Sequence, residues 1–180
     1  MFLKEKGKKI SNANYLWISY FYSYLNETGR AGFVMSSQAS SAGREEAAVR
    51  RKLIETGAVD IMIDIRGNFF YTRTVPCQLW FLDRAKEKDE ARRDYVLMID
   101  ARNIYRKVSR AIYDFSPEQQ KNIAAIVWLY RGQSERYLKL QTPSVRRAHA
   151  PQAKTYGTSC DSPWLQSLKI WSLRQTRSGS

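Results

Sequence analysis

Apolar residues in this chain fall into short blocks whose spacing predicts alternating helices and strands. In residues 14–25 (NYLWISYFYSYL), Leu16, Tyr20 and Tyr24 recur every four positions among other apolar side chains. That period predicts an amphipathic helix buried over a wide face. Residues 31–35 (AGFVM) are continuously apolar between a glycine and two serines, which predicts a short strand buried on both faces.

The alternation continues through the middle of the chain. Residues 45–55 carry apolar side chains at helical spacing, with Ser41 as the expected cap and Gly57 as the expected stop. Three further apolar runs, each predicting a strand, follow at residues 58–65, 75–82 and 95–99. The break at Gly67 and Asn68 predicts that the first two of these runs are antiparallel neighbours.

A clear helix start comes next, and the pattern then fades. Ser116 is placed to cap a helix that has Pro117 at its first position and Gln119 three residues after the cap. Residues 141–180 show no sustained periodicity and are expected to form a basic tail that is disordered or poorly packed. Residues 1–11 are a basic lead, so the expected domain spans residues 12–140.

This order of elements predicts an α/β fold of a particular kind. Helix, strand, helix and strand followed by a hairpin is typical of one end of an α/β sheet, with antiparallel strands at its edge. A doubly wound sheet normally begins with a strand, a glycine-rich turn and a helix. Here a helix pattern precedes the first strand pattern, so the chain is expected to begin partway through such a sheet.

Charge favours an acidic partner. The net charge is +13, and much of the excess lies near the two termini. Four basic residues recur at helical spacing after the last strand run, namely Arg102, Arg106, Lys107 and Arg110. They could contact a DNA phosphate backbone, and the alternative is a solvated helix face. No run is long and apolar enough for a membrane span or a signal peptide, so we expect a cytoplasmic protein without a membrane partner.

Catalytic chemistry is not evident from the residues themselves. Cys77 and Cys160 are far apart and lack metal-ligand spacing, and Cys77 is expected to be a buried thiol. His149 is the single histidine, so neither a histidine-based catalytic site nor a metal site is predicted. No glycine-rich cofactor loop or phosphate-binding loop is present. The residue patterns alone leave the function open.

Six ordered blocks carry a resemblance to a known family. The chain resembles the modification subunit of type I restriction-modification systems in residues 12–18 (NANYLWI), 29–35 (GRAGFVM), 50–60 (RRKLIETGAVD), 68–81 (NFFYTRTVPCQLWF), 97–108 (LMIDARNIYRKV) and 115–132. The resemblance covers about residues 12–140. It implies the carboxyl-terminal half of a Rossmann-like methyltransferase domain, with a terminal antiparallel hairpin and following helices.

The resemblance also implies an activity that the chain lacks the means to perform alone. The family transfers a methyl group from S-adenosylmethionine to the exocyclic amine of adenine in DNA, together with specificity and restriction subunits. Its cofactor loop and its Asn-Pro-Pro-Phe motif lie upstream of the matched region, and neither occurs in this sequence. We therefore expect no catalytic residue and no bound cofactor in this chain. It should be inactive by itself.

The part of the family's site that remains is the adenine pocket. Enzymes that modify a base within a duplex extrude it and hold it by stacking. The resemblance points to Phe70 as the stacking residue, with Tyr71 and Thr72 lining the pocket. The alternatives are core packing for Phe69 and Phe70 and an exposed turn for the next two residues. Asp64 to Gly67 depart from the small or apolar residues more usual in the family.

Two other functions remain open at this point. The chain could be a nonenzymatic module that holds DNA or a partner subunit through its basic surface and aromatic turn. It could also be a decayed gene product that exposes apolar surface.

Overall fold

In the computed structural model, the residues that can be described are 13–41, 43–70, 74–140 and 169–174. The helices are α1 (Ala13–Ser23), α2 (Gln38–Ser41), α3 (Arg44–Glu55), α4 (Pro117–Tyr130) and α5 (Ser134–Leu140), with a 3-10 helix at Arg84–Lys88. The strands are β1 (Arg30–Ser36), β2 (Val59–Ile65), β3 (Cys77–Asp83), β4 (Tyr95–Asp100), β5 (Arg106–Lys107), β6 (Tyr113–Asp114) and β7 (Lys169–Arg174). Within these ranges, no helix is both long and apolar enough to cross a bilayer.

Five strands form one mixed sheet in the order β1-β3-β2-β4-β7. β3 is antiparallel to both β1 and β2, whereas β2 and β4 are parallel. β1, β2 and β4 therefore point the same way. The predicted antiparallel pairing of β2 with β3 is confirmed.

The sheet has helices on both faces, which makes a three-layer α/β arrangement. On one face, α1 and α3 pack on a cluster that includes Trp80 and Met62. On the other, α4 packs on a cluster that includes Ile61, Ile63 and Cys77. Because successive strand residues face opposite sides, both faces of β2 are buried, and this explains its continuous apolar run.

Helix α4 is held by its start and by a buried ion pair near its end. Ser116 and Gln119 form the predicted capping box, with Pro117 in the first turn. Just after the helix, Arg131 contacts Asp60 on β2, with Nε at 3.0 Å and Nη2 at 2.5 Å from Oδ2. Asp60 is fully buried, so this contact joins the helix to the centre of the sheet.

Buried Lys86 lies close to the same carboxylate. Its Nζ donates to the carbonyl oxygens of Gly57 and Val59 at 2.9 and 2.8 Å. Burial lowers its pKa from 10.5 to about 8, while the charge of Asp60 acts in the opposite direction. The end of α3, the start of β2 and the 3-10 helix are therefore held together by one buried ammonium group.

Several predictions about local structure were wrong. β1 is an edge strand of the described sheet with alternating exposure, so it is not buried on both faces. In α1 the buried side chains are Tyr15 and Ile18, whereas Tyr20, and Tyr24 just after the helix, are exposed. Gly43 rather than Ser41 precedes α3.

The hairpin and the tail also differ from expectation. The β2–β3 hairpin is not terminal, because β3 lies between β1 and β2 and further strands follow beyond β2. Within the expected tail, Lys169–Arg174 forms β7 and pairs antiparallel with β4. The basic lead at residues 1–11 lies outside the described residues, as do Cys160 and His149.

Candidate functional site

One edge of the sheet collects the loops in which a ligand site is expected. Because β1, β2 and β4 are mutually parallel, their carboxyl ends lie at the same edge. In open α/β sheets, ligands bind in the crevice outside the carboxyl ends of the strands. The connection from β2 to β3 begins at this edge and carries the aromatic turn, which we define as residues 67–70.

The two phenylalanines of the aromatic turn differ in their surroundings. The ring of Phe69 lies 4.5 Å from the ring of Phe115 and packs against the α4 side of the core. Phe70 is 38% exposed and makes an edge contact with Phe69 at 6.4 Å between centroids. Phe69 is therefore a packing residue, while Phe70 offers aromatic surface to solvent. Tyr71 and Thr72 lie outside the described residues.

The backbone of the turn is closely constrained. A Cβ at Gly67 would collide with the carbonyl oxygen of Thr74, so a side chain does not fit there without a backbone shift. Asn68 has a φ of 61°, in the left-handed region that asparagine tolerates better than most residues. The Gly-Asn pair that marked a break in the sequence thus shapes the turn that presents Phe70.

A small hairpin, β5–β6, packs beside the aromatic turn. The backbone N–H of Tyr113 in β6 donates to the carbonyl oxygen of Asn68 at 3.1 Å. The β5–β6 connection closes through the N–H of Val108 and the carbonyl of Ile112 at 3.0 Å. The predicted helical arrangement of the basic residues after β4 was wrong, because they lie on this hairpin and on the loop before it.

Pairing with carboxylates divides the four basic candidates into two pairs. Arg102 binds both carboxylate oxygens of Asp100 at 2.8 and 2.7 Å, which raises the pKa of Arg102. Arg106 binds Asp114 in the same way at 2.9 and 2.6 Å and lowers the pKa of that carboxyl group. Both guanidinium groups are thus occupied by carboxylates.

Lys107 and Arg110 are different. Both are exposed, and neither has an ion-pair partner among the residues that the structure describes. An unpaired surface cation can bind a phosphate without first breaking an ion pair within the protein. Of the four predicted backbone contacts, these two are therefore the better placed to attract a polyanion.

Arg66 also lies at this edge, directly after β2. Its guanidinium carbon lies 4.1 Å from the ring centroid of Tyr105 and 3.8 Å from that of Tyr113. The two rings meet edge to face at 5.1 Å. Both tyrosines come from the region after β4, which is far along the chain from Arg66.

A cavity of about 300 Å³ under α4 does not fit S-adenosylmethionine. Its lining is mainly apolar, and Gln120, Trp128 and Arg131 supply its polar side-chain groups. It has no carboxylate to bind ribose hydroxyls and no glycine-rich turn to approach a charged cofactor.

Comparison with known proteins identifies relatives. The sequence profile described as N-6 DNA Methylase matches residues 2–146. The chain is 38% identical over 112 residues to the type I restriction enzyme MjaIX methylase subunit of Methanocaldococcus jannaschii, which covers 62% of this chain and 20% of that protein. It is 30% identical over 114 residues to the HindI methylase subunit of Haemophilus influenzae, which covers 63% of this chain and 25% of that protein.

A solved structure has a similar fold. The type I restriction-modification methyltransferase subunit from Streptococcus thermophilus superposes with a TM-score of 0.60 at 22% identity, over 69% of this chain and 26% of that one. At this identity the match supports the fold alone. The chain spans only about a fifth to a quarter of the length of the two curated relatives. The profile match nevertheless covers most of the length of this chain. The chain is similar to the methylase subunits of type I restriction enzymes, and it belongs to the N-6 DNA methylase family.

Proposed function

We propose that this chain is the carboxyl-terminal part of the catalytic domain of a type I adenine DNA methyltransferase subunit. The intact protein would transfer a methyl group from S-adenosylmethionine to the N6 amine of adenine in DNA, in the cytoplasm and together with specificity and restriction subunits. The observation that carries the proposal is the exposed ring of Phe70 at the carboxyl edge of three parallel strands.

Within this function, the chain supplies binding rather than chemistry. Phe70 stacks on the extruded adenine, and Tyr71 and Thr72 line the remainder of its pocket. Lys107 and Arg110 contact the phosphate backbone next to the flipped nucleotide. The backbone hydrogen bond from Tyr113 to Asn68 supports this division, because it places the basic hairpin directly against the aromatic turn.

We further propose that the 180 residues are inactive by themselves. They contain no Asn-Pro-Pro-Phe motif and no glycine-rich loop after a strand, and the cavity under α4 does not fit the cofactor. Calorimetric titration with S-adenosylmethionine should therefore give no binding heat. Micromolar binding would contradict this part of the proposal.

A base-specific assay tests the role of Phe70. Short single-stranded oligonucleotides that carry either adenine or an abasic site at one central position should bind the chain with different affinities. Stacking is worth roughly 1 to 3 kcal/mol per base, so the adenine form should bind at least about fivefold more tightly. Phe70→Ala should remove this difference. Tyr24→Ala, which removes another exposed aromatic ring at 86% exposure, should preserve it.

The outcomes also address the other candidate functions. A salt-dependent affinity that ignores the central base and falls in Lys107→Ala/Arg110→Ala would favour a nonenzymatic DNA-binding module. Absence of any DNA binding by a folded chain would contradict the proposal and favour a decayed gene product. Methylation that appears when a polypeptide with the cofactor loop and the Asn-Pro-Pro-Phe motif is added would support a divided enzyme.

A further inference from the structure

The β5–β6 hairpin is too small to hold its own position. Each strand contributes two residues, Arg106–Lys107 and Tyr113–Asp114, and the two residues of β5 are exposed. An isolated two-stranded hairpin is marginally stable at best in water. Contacts outside the hairpin must therefore fix where it carries Lys107 and Arg110.

Arg66 provides such a contact. Its guanidinium group lies against two rings, with Tyr105 directly before β5 and Tyr113 in β6, at 4.1 and 3.8 Å to the centroids. Its Nε is buried and has no hydrogen-bond partner among the described residues. The position of this end of the side chain is therefore set by the aromatic rings, through cation–π attraction and stacking.

The location of Arg66 in the chain gives this contact a consequence. The residue directly follows β2 and directly precedes the aromatic turn. One end of Arg66 is thus continuous with the turn that presents Phe70, while its guanidinium group joins the two sides of the hairpin. The hydrogen bond from Tyr113 to Asn68 is a second link between the same two segments.

We propose that Arg66 is a positioning residue that fixes the β5–β6 hairpin relative to Phe70, so that Lys107 and Arg110 reach the backbone of a nucleic acid whose base stacks on Phe70. This inference rests on the proposed function, since it assumes that the hairpin and Phe70 bind DNA. Arg66 acts through the hairpin. Its loss should therefore remove the contributions of Lys107 and Arg110 without adding a loss of its own.

Non-additivity of DNA affinity is the test. Arg66→Gln should weaken binding to an adenine oligonucleotide to within about twofold of Lys107→Ala/Arg110→Ala. The triple variant should be no more than about twofold weaker than either. In plots of log affinity against log salt, the slope for Arg66→Gln should be shallower by the contribution of two phosphate contacts, roughly 0.7 each for single strands. Arg66→Lys keeps the charge and a weaker ring contact, so it should give an intermediate affinity.

Controls separate the possible failures. Arg51→Gln removes another exposed arginine and should leave the affinity nearly unchanged. Circular dichroism and thermal unfolding identify variants that do not fold, in which case Arg66→Lys alone carries the test. If Lys107→Ala/Arg110→Ala leaves binding intact, the proposed role of the hairpin in DNA binding fails.

Two other results would overturn the positioning role alone. One is full affinity in Arg66→Gln when the double variant is weak. The other is a loss of DNA affinity in Arg66→Gln that adds to the loss in the double variant and makes the salt slope shallower by the contribution of a single contact. The second result would make Arg66 a direct phosphate ligand.

Discussion

Replacement of Arg131 by methionine tests the energetics of the buried contact that holds α4 on the sheet. In the parent chain, the guanidinium group contacts Asp60 Oδ2 twice, at 3.0 and 2.5 Å. The other oxygen, Oδ1, is buried without a hydrogen bond, and Arg92 Nη1 lies 3.8 Å from it. Arg131→Met would thus leave a fully buried carboxylate with one distant cation and the neighbouring charge of Lys86.

The size of the effect follows from this environment. Removal of one partner of a buried ion pair costs about 3 to 5 kcal/mol, because the remaining charge is left uncompensated. Arg92 and Lys86 keep part of the compensation for Asp60, so we expect a loss of about 3 kcal/mol. Since domains unfold with only roughly 5 to 15 kcal/mol, such a loss is easily measured.

Urea unfolding followed by circular dichroism gives the required free energies. Asp60→Asn/Arg131→Met removes both charges, and we expect it to recover at least half of the stability lost in the single variant. Lys121→Met, an exposed change on the same helix, serves as the control. A loss below about 1 kcal/mol in Arg131→Met, or a double variant as unstable as the sum of the two single variants, would refute the reasoning.

Three further predictions concern the cap, the buried lysine and the aromatic turn. Ser116→Ala should lower the free energy of unfolding, measured in urea, by about 1 kcal/mol. Ser116→Thr should retain most of that stability, because the cap hydroxyl group is kept. For Lys86, whose pKa falls from 10.5 to about 8, the folded state binds fewer protons than the unfolded state between these values. The free energy of unfolding should therefore rise from pH 8 to 10, and the rise should vanish in Lys86→Met. In Gly67→Ala the new Cβ meets the Thr74 carbonyl, so the adenine preference should be lost, whereas Gly43→Ala meets nothing within 4 Å and should keep it.

Much of the sheet could be predicted because burial on two faces leaves a plain signal. In β2, Met62 faces the α1 side and Ile63 faces the α4 side, so the strand is apolar throughout. The capping box at Ser116 was also readable, since it depends on residues three positions apart. Both features are set by short segments of sequence.

The exposed face of α1 was not predictable in the same way. Apolar and aromatic residues occupy most positions around this helix, so their spacing does not reveal which side contacts the sheet. The structure buries Tyr15, whose hydroxyl group donates to the carbonyl oxygen of Ala39, and leaves Trp17 55% exposed. The choice depends on tertiary partners that lie beyond the helix.

The candidate site shows the same limit. The sequence marked Arg66 as unusual and Phe70 as a candidate, but the tyrosines around Arg66 follow a different strand. The basic residues after β4 matched a helical spacing, yet their region forms a hairpin because Tyr113 pairs with Asn68. Asp100 and Asp114 pair with Arg102 and Arg106, and these ion pairs decide which basic residues remain unpaired. The spacing of the sequence does not reveal them.

The interior position of β3 has a consequence for the order in which the chain folds. β2 and β3 are consecutive in the chain and pair with each other. In the described sheet β1 pairs only with β3, and β4 pairs with β2 although β3 lies between those two strands in the sequence. Local pairings close with a smaller loss of chain entropy than distant ones. We therefore expect the β2–β3 hairpin, with Trp80 at its centre, to form the folding nucleus and to contain the amide protons that exchange most slowly.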